Sequence, residues 1–278
     1  MNYKFFKNKN FYPDKYYESY IEPDYPLYIY EDFDIYRYLN GAEPISKVIK
    51  SFVFYELIEI LYHIKFHNYK NICDISSSGS FKELAEYKFS KCKYTHCIDI
   101  ETFLHSNVDL FFFDAESNRR YLFFIIYVIF NNQSNNGSSI IRMKSKNIEF
   151  LYLLTTLFGK TNICKPDVMS NDNEYFYVIC QNYNNTYNFD LGNYILQNMQ
   201  LTIYEGVPCY FINIVNEIFS LIRQKYLLHK KNIIFFKCLD LCKLERLKNK
   251  NIYDCIKWCQ THELPYNMVK INIFNNKI

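Results

Sequence analysis

Glycine and proline are scarce in this chain, at six and seven of 278 residues, and there is a single tryptophan. So little glycine argues against a fold built on many tight turns, and it leaves little material for a glycine-rich ligand loop. Charge of one sign is also lacking: a formal net charge of +3 is too small to argue for nucleic acid by itself. The longest apolar run, Tyr121 to Phe130, is too short to cross a bilayer, so no membrane association is expected. The opening MNYKFFKNKNFYPDK has no apolar h-region, so no signal peptide is expected. Ten cysteines without a secretory signal then imply reduced thiols in a cytoplasmic setting.

What is abundant is Tyr, with 28 residues, and Phe, with 25, alongside Asn, Lys and Ile. This is the mark of an AT-rich coding sequence, and such a bias erodes motifs made of small residues. The length suits one large or two small domains with a sizeable core. Three regions are expected. Residues 1–44 hold Pro13, Pro23, Pro26 and Pro44 and no sustained period, which reads as an irregular arm. Residues 45–183 alternate strand and helix signals, and 184–278 read as a helical C-terminal extension.

Within the middle region, Ser46 can cap a helix running to about Phe66, with a stripe including Val48, Phe52, Leu57, Ile60 and Ile64. A strand is expected over Asn71 to Ile75, then a serine-rich turn and a helix from about Ser80. YTHCIDI reads as a second strand closing on Asp99, and Val108 to Asp114 as a third, apolar on both faces. Arg119 and Arg120 open the next helix. The chain turns at Gly137-Ser138 into an apolar strand carrying Arg142, with Lys144 beyond it. A helix with Phe150, Leu153, Leu154 and Leu157 on one face ends at Gly159, and a short strand ends at Lys165-Pro166. Glu174 opens a last strand, YFYVIC. The connection between these two is too short for a parallel crossover, so the last strand should be antiparallel. The fold class is therefore α/β, a mostly parallel sheet with an antiparallel last strand and a helical extension.

GSSIIRM, then CKP, then NDNEYFYVIC resembles the second half of the FtsJ-like RNA ribose-2'-O-methyltransferases, a Rossmann-like fold with many cap-methylating members. The resemblance covers about residues 46–183. It implies methyl transfer from S-adenosylmethionine to an RNA 2'-hydroxyl, with a Lys-Asp-Lys-Glu tetrad orienting and deprotonating that hydroxyl. Residue by residue, it puts Asp114 at the family's aspartate, Glu174 at its glutamate, Arg142 at its central lysine and Glu56 at its first lysine. Lys144 is the neighbouring cation on the same strand facing. On the cofactor side it implies Asp74, Ser76, Ser78 and Gly79 in the turn after the first strand, and Asp99 for the ribose hydroxyls. Arg119, Arg120 and Lys165 are the candidate RNA contacts.

The departures from the family pattern are chemical. Arginine stays protonated in proteins, so Arg142 cannot act as a base. Glu56 reverses a charge. The cofactor turn holds one glycine and is a residue short. Between Asp99 and Val108 there is no room for a further helix and strand, so one sheet unit is expected to be missing.

These departures favour a degraded member acting in mRNA cap formation, a regulatory or stabilising subunit beside a catalytic capping-enzyme partner. In kind it is similar to the small, non-catalytic subunit of the poxvirus mRNA capping enzyme. The alternatives are an active cap ribose-2'-O-methyltransferase using S-adenosylmethionine on capped mRNA, and a structural or RNA-binding protein that keeps only the fold. No metal is assigned. Cys238, Cys242, Cys255 and Cys259, in pairs spaced i, i+4, form the one arrangement whose spacing suits zinc, and free core cysteines are the alternative.

Overall fold

A computed structural model describes residues 51–63, 69–89, 91–98, 107–115, 119–166, 168–169, 175–184, 207–237, 242, 246 and 257–264. The expected N-terminal arm and the Ser46 cap lie outside these. In chain order the elements are α1 (Phe52–His63), β1 (Asn71–Ile75), α2 (Lys82–Lys88), β2 (Lys93–Cys97), β3 (Val108–Ala115), α3 (Arg119–Asn132), β4 (Gln133–Met143), α4 (Ile148–Leu157), β5 (Phe158–Cys164), β6 (Phe176–Tyr183) and α5 (Cys209–Lys237). A short helical turn covers 257–261.

The six strands form one sheet in the order β2-β1-β3-β4-β6-β5. The pairs β1–β2, β1–β3 and β3–β4 are parallel, while β6 lies antiparallel between β4 and β5. This is the mostly parallel α/β sheet with a reversed last strand expected from the sequence. Among the described residues β2 is an outer strand, in keeping with the short connection from Asp99 to Val108.

Alternation along the strands divides the core in two. Phe111, Phe113, Ile141, Val178 and Cys180 face α3, α4 and the start of α5, where Phe211, Val215 and Ile218 are buried. Leu110, Phe112, Ile140, Tyr177 and Ile179 face α1, α2 and the C-terminal residues Cys259 and Leu264. The described parts of the C-terminal region thus cover both faces of the sheet. β3 is the central apolar strand anticipated, with Leu110 to Phe113 all fully buried; each such side chain removed from water is worth about 1.5–3 kcal/mol.

Three local expectations change. Gly137 and Ser138 do not form a turn before β4, because the strand already begins at Gln133. The step from Gln133 to Ser138 bulges against the shorter step from Val108 to Leu110. Gln133 pins the bulge: its Nε2 donates to the Val108 carbonyl at 2.8 Å, and its Oε1 accepts from Ser139 Oγ at 2.8 Å. Gly159 does not stop α4. The helix ends at Leu157, and Phe158 is already extended, with its ring packed on Tyr183 at 5.4 Å between centroids. Finally, α4 has no single apolar face, since all ten of its residues are buried between α5 and the sheet. The helix expected near 233 likewise merges at its start with α5, which runs unbroken to Lys237.

Candidate functional site

Register builds the site. Asp114 on β3 pairs with Arg142 on β4, and Arg142 pairs with Tyr177 on β6. All three are in line across the sheet, on the face that α1 covers. From α1, Glu56 reaches down into this row.

Arg142 Nη1 donates to both oxygens of Asp114, at 3.2 and 3.4 Å. Its Nε lies 3.8 Å from Glu56 Oε2, without a hydrogen-bond partner of its own. Tyr177 OH donates to Glu56 Oε2 at 2.5 Å. The guanidinium carbon sits 3.9 Å from the centre of the Tyr175 ring, two residues back on the same strand face. The arginine is 13% exposed, Asp114 22% and Glu56 4% by side chain, so among these three residues exposure is greatest at Asp114 and least at Glu56.

The electrostatics follow from this burial. Desolvation raises the Glu56 carboxyl above its ordinary range, against the opposing Tyr177 hydrogen bond and the charge of Arg142. Burial pulls the Arg142 guanidinium down, but Tyr177, Asp114 and Glu56 outweigh it and hold the group firmly charged. Burial also pushes Tyr177 well up, so its phenol is a hydrogen-bond donor and not a base. The arrangement is an ion-paired staple between helix and sheet. It offers no proton acceptor at Arg142.

The structure therefore brings Asp114, Arg142 and Glu56 together. Lys144 is exposed one residue beyond the end of β4. Lys165, an expected RNA contact, is buried, and its charge acts on Glu56. Glu174 and Asp99 lie outside the described residues. Arg119 and Arg120 open α3 as expected, but their side chains lie outside what is described.

The turn to which the resemblance assigns the cofactor follows β1. Asp74 is fully buried. Its Oδ2 accepts from Tyr94 OH at 2.7 Å and from the Phe81 N–H at 3.1 Å, while Oδ1 has no partner. Burial lifts its carboxyl, against the hydrogen bonds from Ser76, Tyr94 and Phe81. Ser76 Oγ accepts the Gly79 N–H at 3.0 Å. Ser78 is exposed. Gly79 has φ +60, the left-handed conformation that favours glycine, and a Cβ there would already touch the His96 ring at 3.4 Å. His96 Nε2 also meets the Ser76 carbonyl at 2.7 Å.

In a glycine-rich cofactor turn, backbone must face and closely approach the ligand. Here the Gly79 and Phe81 N–H groups are used inside the turn, and an imidazole lies on the glycine. These residues do not fit S-adenosylmethionine.

No family model matches the chain, and neither does any curated protein. Among solved structures it is similar to Haemonchus contortus phosphoethanolamine N-methyltransferase 2, in complex with phosphomonomethylethanolamine and S-adenosylhomocysteine, at 14% identity and TM-score 0.37 over 50% of this chain and 39% of that one. It is also similar to a ribosomal RNA methyltransferase of Plasmodium falciparum, at 15% identity and TM-score 0.35 over 48% of this chain and 98% of that one. A third likeness is to the Methanococcus jannaschii fibrillarin pre-rRNA processing protein, at 11% identity and TM-score 0.28 over 46% and 74%. The matched part of the Haemonchus enzyme is thus about two-fifths of its length. The fold rests on the sheet order itself.

Sequence reasoning missed Tyr175, Tyr177 and His96. The tyrosines were legible as alternate residues of YFYVIC, on the facing opposite Phe176 and Val178. His96 gave a weaker signal, a polar residue near the end of an outer strand. Among the described residues no cluster of His, Cys, Asp and Glu suits a metal. Of the four cysteines considered for zinc, Cys238 and Cys255 lie outside the description, Cys242 is exposed, and burial pushes the Cys259 thiol up to about 12. No described helix is long and apolar enough to cross a membrane.

Proposed function

We propose that this chain is a methyltransferase-fold protein without methyl-transfer chemistry, serving mRNA cap formation as a stabilising subunit of a catalytic capping methyltransferase. One observation carries the reading. Arg142 stands where the family's proton-accepting lysine is expected, and Asp114 and Glu56 hold it charged. A guanidinium so placed cannot take a proton from a ribose hydroxyl. The sheet order and the alignment of Asp114 and Arg142 support the family resemblance behind the capping role. The basic pair Arg119-Arg120 at the start of α3 is the proposed contact to RNA phosphates.

The test is an assay of methyl transfer to capped RNA by the purified chain, together with co-purification from the native source. No transfer alone, and recovery of a methyltransferase whose activity or stability rises with this chain, is the expected result. Transfer by the chain alone, abolished by Asp114→Ala, would overturn it. The active-enzyme reading has one observation in its favour, the buried Lys165 acting on Glu56. It demands in addition that Lys165→Met abolish transfer.

A further inference from the structure

The turn between β1 and α2 is closed from two sides. From below, Asp74 and Ser76 hold the Phe81 and Gly79 N–H groups. From the solvent side, the exposed His96 lies across Gly79 and bonds the Ser76 carbonyl. The ring comes from β2, whose register sets His96 beside Asp74, at the mouth of the turn.

The three atoms nearest the Cβ position of Gly79 all belong to this imidazole, at 3.4–3.5 Å. The turn itself keeps the left-handed glycine that a close backbone approach needs. The left-handed glycine is thus retained with the His96 ring against it, above the N–H groups of Gly79 and Phe81 that are held inside the turn.

We infer that His96 is a built-in plug of the cofactor turn, so that the folded chain does not take S-adenosylmethionine, and that removing the imidazole reopens the turn to the nucleoside-amino-acid ligand. This inference rests on the non-catalytic reading above and extends it from the reacting group to the cofactor.

The experiment is calorimetric titration of the full chain and of His96→Ala with S-adenosylhomocysteine. The wild type is expected to give no binding heat at about 1 mM ligand, and His96→Ala to bind roughly tenfold or more tightly than that limit. The urea midpoint checks that the variant is folded, as an exposed site leads one to expect. Should it not fold, His96→Asn keeps a donor for the Ser76 carbonyl without the ring over Gly79, and the same gain is expected.

Micromolar binding by the wild type overturns the inference. So does a folded variant that still binds nothing. Binding by the wild type without methyl transfer overturns the plug alone and leaves the non-catalytic reading in place; methyl transfer overturns both.

Discussion

Arg142 and Asp114 face each other across neighbouring parallel strands, with Nη1 3.2 Å from Oδ2. Glu56 approaches the same guanidinium from the helix above. Removing the arginine leaves the Glu56 and Asp114 carboxylates without the guanidinium that pairs them. Arg142→Ala is therefore expected to lower unfolding stability by about 3 kcal/mol, the lower end for a broken buried pair because Asp114 keeps some solvent. Arg142→Lys keeps charge but loses the fork and the flat stack on Tyr175, and should cost about half as much. Urea unfolding reads both. An alanine variant within about 0.5 kcal/mol of wild type would show that the staple contributes nothing.

Burial raises the carboxyls of Glu56 and Asp74 above their ordinary values of 4.5 and 3.8. With folded values above unfolded ones, the native state holds protons that the unfolded chain has released. Their contribution therefore grows more favourable as pH falls through the folded values, and levels off below the unfolded ones. Asp74→Asn keeps an acceptor for Tyr94 and Phe81 but removes the buried charge. Its stability relative to wild type should be greatest near neutral pH and shrink on acidification. A difference that grows toward acid contradicts the sign.

Gly137 lies in the bulge of β4, where a Cβ would meet Gln133 Nε2 at 2.2 Å and the Ser134 and Asp109 carbonyls at 2.8 and 3.0 Å. The amide can swing aside only by breaking its bonds to Val108 and Asp109. Gly137→Ala should cost about 2 kcal/mol, seen as a lower Tm. An unchanged Tm would mean that the bulge relaxes freely.

Glu59, one turn along α1 from Glu56, accepts from the Trp258 indole and from the Val168 N–H, both at 3.2 Å. The Trp258 ring lies 4.2 Å from that of His262, tilted by 46°, and Trp258 is the only tryptophan in the chain, so its emission reports this docking directly. Glu59→Ala leaves a buried N–H unpaired and frees the indole. A red-shifted emission and a loss of about 1–3 kcal/mol are expected. Emission identical to wild type would place the docking elsewhere.

The strand and helix signals from Asn71 to Tyr183 were legible because a period of two or of 3.6 is written directly into apolar spacing. Asp114 and Arg142 were legible as strand-end residues for the same reason. The bulge at Gln133 was not, since its cause is a side-chain amide bonding carbonyls of β3, more than twenty positions earlier. Nor was the end of α4, where Gly159 offered a local stop and the packing of Phe158 on Tyr183 started a strand first.

By itself, then, the sequence determined the α/β alternation, the reversed last strand and a permanently charged arginine on an apolar strand, because these depend on residue type and short spacing. Only the tertiary structure decided that Glu56 and Asp114 meet at that arginine, that Lys165 is buried with its charge acting on Glu56, and that His96 lies on the turn after β1. Those facts depend on sheet register and on a helix crossing the sheet, which join residues tens of positions apart and leave no local mark in the chain.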